Sequence, residues 1–85
     1  MTELKPLNEL ANLIKIECTG KTWYAYAKPY VEAMATLDNA KQNYYEDSGV
    51  SVCLYALSNL SSWRGETART VKAQIKRHTE LALAK

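Results

Sequence analysis

Phenylalanine is absent from this chain, and glycine (three), proline (two), cysteine (two) and histidine (one) are scarce. So few Gly and Pro leave little punctuation, which favours helices over a many-turned β fold. With His78 as the lone histidine and no Cys-x-x-Cys pair, the ligand spacing of a metal site is missing, and no metal is expected. Cys18 and Cys53 stand far apart, and each falls in an apolar phase. They read as small buried hydrophobes and not as a disulfide. There is no Gly-x-Ser-x-Gly and no phosphate-cradling Gly-rich loop. No catalytic residue or cofactor site is therefore expected, and the chain does not read as an enzyme. No apolar run approaches the ~20 residues that cross a bilayer. No apolar core of a signal peptide follows Thr2, Glu3 and Lys5, so a cytoplasmic location is expected.

What is present is ordinary globular composition. Of the 85 residues, 47% are hydrophobic and 24% charged, which excludes disorder and predicts one domain over residues 1–85. A domain this small buries a modest core, so completion by a homodimer is one expected solution. Charge is unevenly placed. Residues 1–60 carry five Lys against seven Asp and Glu, a net −2. Residues 61–85 carry six Lys and Arg against two Glu, a net +4. A basic arm thus follows a slightly acidic body.

The hydrophobic pattern predicts an all-α fold, a small bundle of about four helices in up-down style. Leu4, Leu7, Ala11, Ile14 and Cys18 keep steps of three and four, with Pro6 in the first turn and Gly20 as a left-handed stop. Trp23, Tyr26, Tyr30, Ala33, Leu37, Ala40 and Tyr44 continue the alternation. They predict one long helix from an N-cap at Thr22 to about Tyr45, kinked at Pro29 in preference to broken there. Glu46–Gly49 reads as a loop with Asp47 or Ser48 capping the next helix, whose face is Val50, Cys53, Leu57 and Leu60. The phase then slips. A break at Ser61–Gly65, capped by a serine, precedes a last helix to about Leu83 that buries Ala68, Val71, Ile75 and His78.

Three groups carry candidate chemistry. Every aromatic ring here has a polar handle, since all are Tyr or Trp, the types enriched at interfaces. Trp23, Tyr26, Tyr30 and Tyr44 fall on the stripe and read as core or dimer seam, whereas Tyr24 and Tyr45 fall off it and are candidates for a protein-binding surface. Trp63 and Arg64 form a corner that either closes the bundle or joins that surface. Arg69, Lys72 and Lys76 make a stripe, with Arg77 alongside. It is either a solvated helix face or a row of phosphate contacts for nucleic acid.

The run from Tyr55 to Lys72 reads Tyr-x-Leu-x-Asn-Leu, then Trp-Arg-Gly-Glu, then Ala-Arg and a Val-Lys step. It resembles small uncharacterised accessory proteins of tailed bacteriophages and prophages, over roughly the last third of the chain. The resemblance implies a protein made in a bacterial host cytoplasm and carries over no catalytic residue. The expected function is non-enzymatic: a binding or inhibitory module for a host or viral protein. The alternative is a nucleic-acid-binding accessory protein that uses the basic last helix.

Overall fold

The computed structural model describes residues 4–84, and its architecture is mostly helical. Helices α1 (Leu7–Cys18), α2 (Tyr24–Met34), α3 (Gly49–Asn59) and α4 (Glu66–Leu83) are joined by turns, and a two-stranded hairpin, β1 (Asn43–Tyr44) and β2 (Asp47–Ser48), lies between α2 and α3. The helices close a ring in which α1 and α3 each pack on α2 and α4. One continuous core fills that ring, built from every helix and from Leu37, Ala40, Leu60 and Trp63 of the connections. The molecule is flattened, 37 × 33 × 18 Å.

Helix α1 follows its pattern: Leu7, Leu10, Ala11, Ile14 and Cys18 are buried. Two details of its ends differ from expectation. Pro6 is the N-cap residue, not a first-turn residue, and its carbonyl accepts the Glu9 and Leu10 amides. Gly20 does not take a left-handed conformation.

The second helix departs most from its pattern. It ends at Met34 and not near Tyr45. The chain does stay helical through Pro29. Beyond Met34, the side chains of Gln42 and Asn39 accept nearby backbone amides in bonds that compete with a helix. Gln42 Oε1 accepts from the Asp38 amide at 2.6 Å, and Asn39 Oδ1 accepts from the Lys41 amide at 2.8 Å. The buried face also has a different phase. Tyr24, Ala27, Val31 and Met34 point inward, while Tyr26 is 73% exposed. Small and aliphatic residues pack more closely into the ring than the aromatic stripe one step away.

In α3 the buried residues are Gly49, Val52, Cys53 and Ala56, with Val50 and Leu57 half-buried at the edges. Ser48 is the cap, accepting from the Ser51 amide at 3.1 Å. Gly49, read as loop, is the first residue of α3. It needs to be glycine, because a Cβ would sit 2.6 Å from the Gln42 carbonyl oxygen and 2.7 Å from that of Ala40. Helix α4 buries Ala68, Val71, Ile75 and His78 as its pattern predicts, together with Gln74 and Thr79. Its cap is Gly65 at φ 116°, not a serine. His78 and Gln74 hold the segment before α1. Gln74 Oε1 accepts the Lys5 amide at 2.8 Å, and His78 Nε2 lies 2.7 Å from the Lys5 carbonyl oxygen. That carbonyl can only accept, so Nε2 carries the proton.

Candidate functional site

The corner between α3 and α4 is built around Trp63. Its indole is buried against the core and donates from Nε1 to Glu17 Oε1 of α1 at 3.1 Å. Its carbonyl accepts from Lys72 Nζ of α4 at 2.6 Å. The corner is thereby pinned to two helices, and the positive φ of Gly65 turns the chain into α4 directly after Arg64. Outside the buried indole, Arg64, Gly65, Ala68, Arg69 and Lys72 line a cleft of about 440 Å³. Arg64 and Arg69 are exposed, and Lys72 is half-buried. Burial holds the Lys72 ammonium below its ordinary pKa, and the neighbouring charge of Arg64 lowers it further. Among the described residues the one ion pair is Arg77–Glu80, at 3.6 Å, so the cleft cations are not neutralised by a carboxylate. Arg69 also borders a second groove, which runs along α4 past Gln74, Arg77, Leu81 and Leu4.

A different surface covers the outer side of α2 and α3. Tyr30 of α2 stacks on Tyr55 of α3, ring centroids 5.3 Å apart and 26° from parallel. Tyr26 stands one turn before Tyr30 on the same face of α2. Tyr26 and Tyr55 are exposed, at 73% and 57%. Leu54 is also exposed beside Tyr55. Tyr45 sits apart, at the hairpin tip, with φ 54° and its ring edge-on to Tyr44 at 4.7 Å.

The structure therefore separates the expected site residues. Tyr24 is buried, which corrects its reading as an outward ring, and Trp63 is a packing residue whose indole is not available to a partner. Of the protein-binding candidates, Arg64 and Tyr45 are exposed. The basic candidates Arg69, Lys72 and Lys76 lie along one side of α4, with Arg77 on the adjoining face paired to Glu80. Tyr26 and Tyr55 were missed as surface residues. The signal was in the sequence, as the competing stripe Tyr24, Ala27, Val31, Met34.

Neither surface holds a nucleophile beside a base. His78, the sole histidine, is buried and spends Nε2 on the Lys5 carbonyl. Among the described residues no three His, Cys, Asp or Glu gather as metal ligands, and no helix is long and apolar enough to cross a membrane. The first surface presents Arg64, Arg69 and Lys72 around a cleft, and the second presents exposed tyrosine rings. No protein-family model, no curated protein and no solved structure matches this chain.

Proposed function

We propose that this chain is a non-enzymatic accessory protein of the phage type that binds a host or viral protein through the tyrosines of α2 and α3. The observation that carries the reading is the exposed Tyr26 beside the stacked Tyr30–Tyr55 pair. Tyrosine gives large contact area with few rotatable bonds and a hydroxyl that stays hydrogen-bonded, which is why it is enriched at binding hot spots. Tyr30 packs against the core, whereas Tyr26 and Tyr55 lie outside it and stand largely exposed. A photo-crosslinking side chain placed in bacterial cells at position 26 or 55 should give a discrete adduct that the same probe at Lys28 does not. The variant Tyr26→Ala/Tyr55→Ala should bind the purified adduct protein more than about tenfold more weakly. Equal adducts from all three positions, or unchanged affinity in the double variant, would reject the reading.

Nucleic-acid binding is the second reading. It is favoured by the alignment of Arg69, Lys72 and Lys76 along one side of α4, with Arg64 at its start and no carboxylate paired to them among the described residues.

A further inference from the structure

We propose that the corner cleft is a discrete phosphate site, in which Arg64, Arg69 and Lys72 together hold a phosphate dianion or a phosphomonoester. The site is independent of both the tyrosine face and a bound polynucleotide.

Three cations of different origin converge there. Arg64 comes from the connection, while Arg69 and Lys72 come from α4 at a spacing of three, and all border the same cleft of about 440 Å³. Like charges repel, and the effect is visible at Lys72, whose ammonium is destabilised by burial and by Arg64. Lys72 nevertheless cannot move away freely, because its Nζ is tied to the Trp63 carbonyl at 2.6 Å. That bond uses one of three ammonium donors and leaves two. The Trp63 carbonyl is itself fixed, since the indole is buried and bonded to Glu17. The corner therefore holds an ammonium in a set place beside Arg64, with no carboxylate ion-paired to it among the described residues. An anion bound there relieves the repulsion.

Charge and shape select the anion. A phosphomonoester carries about −1.5 to −2 at pH 7, whereas each link of a phosphodiester chain carries −1. Three cations at one point match the former. Planar guanidinium groups give paired N–H donors that fit two oxygens of one phosphate, and an ammonium adds a single donor at the third. Arg69 and Lys72 share a row with Lys76 along α4, and it is Arg64, brought in by the turn at Gly65, that makes a cluster of its first two members. The cleft holds no acid or base placed for catalysis, so the site binds and does not cleave.

The test is an amide-resolved NMR titration of the full chain with inorganic phosphate at pH 7.5, against sodium chloride at equal ionic strength. Saturable shifts confined to Arg64–Arg69 and Lys72 are expected. Arg64→Gln and Arg69→Gln should each weaken the apparent affinity roughly three- to tenfold, and Lys76→Gln should leave it unchanged. Both arginines are exposed, and an unaltered amide spectrum before titration establishes that the variants fold. Shifts no larger than those from chloride, or non-saturating shifts that spread equally to Lys76 and Arg77, overturn the site. A short oligonucleotide with and without a 5′-phosphate then identifies the source. Tighter binding of the phosphorylated form at the corner places the group on a nucleic-acid end, and no difference places it on a small phosphate compound.

Discussion

The three glycines do three different things, and substitution should separate them. Gly65 has φ 116° with nothing within 4 Å of a would-be Cβ. Gly65→Ala should therefore destabilise by the conformational term alone, roughly 2 kcal/mol. Gly49 meets two backbone carbonyls that cannot swing aside, so Gly49→Ala should lose more, about 3 kcal/mol. Gly20 has neither constraint, and Gly20→Ala should fall within about 0.5 kcal/mol of the parent. Urea unfolding midpoints at constant slope give the ranking. The cysteines make a second prediction. Burial raises the Cys53 thiol from 9.0 to about 12, and burial with the nearby Glu17 charge raises Cys18 to about 11. Since the unfolded chain releases these protons first, the two thiols should contribute stability that is complete below pH 9 and lost as pH rises from 9 towards 11 and 12. Replacing Cys53 with Ala should flatten that loss in denaturation curves taken between pH 8 and 10.5. An equal alkaline decline in the variant would show that other groups cause it.

At the scale of elements, what the sequence disclosed depended on competition between signals. Helices α1 and α4 each have one dominant apolar face, so their buried residues, Gln74 and Thr79 apart, were readable from spacing alone. Around Trp23–Tyr30 two stripes overlap, one aromatic and one aliphatic. Spacing cannot choose between them, because the choice is made by how closely α2 approaches α1 and α3. The stop at Met34 was hidden for another reason: an unbroken apolar rhythm ran past it, while Asn39 and Gln42 satisfied the backbone locally. Tyr45 at φ 54° is a similar case, since nothing in its residue type announces a left-handed position. The basic candidates were legible as a helix face, but the cleft was not, because Arg64 joins Arg69 and Lys72 only through the turn at Gly65. The Lys5 clamp on α4 yields its own prediction. Gln74→Ala should speed amide hydrogen exchange at Lys5 while leaving α2 and α3 protected, because it removes that amide's acceptor and not the core. Exchange that rises everywhere would mean that Gln74 supports the whole fold.

For the molecule as a whole, the basic corner and the tyrosine face lie on different elements. Arg64, Arg69, Lys72, Lys76 and Arg77 lie on α4 and the corner before it, and Tyr26 and Tyr55 on α2 and α3. A protein could thus engage one surface while an anion occupies the other. If a nucleic acid is the partner of α4, Lys76→Ala should weaken binding to a DNA duplex and reduce the slope of log affinity against log salt by about one. A salt response that is flat in the parent protein would remove that reading and leave the corner site to be judged on phosphate alone.

The bonds from Lys5 to Gln74 and His78 join residues 69 and 73 positions apart. On a ribosome adding roughly 5–20 residues per second, the segment before α1 emerges several seconds before the helix that will hold it. Without α4 the ring stays open, because α1 and α3 both pack on it. Closure of the ring and fastening of the segment before α1 therefore wait on the same helix.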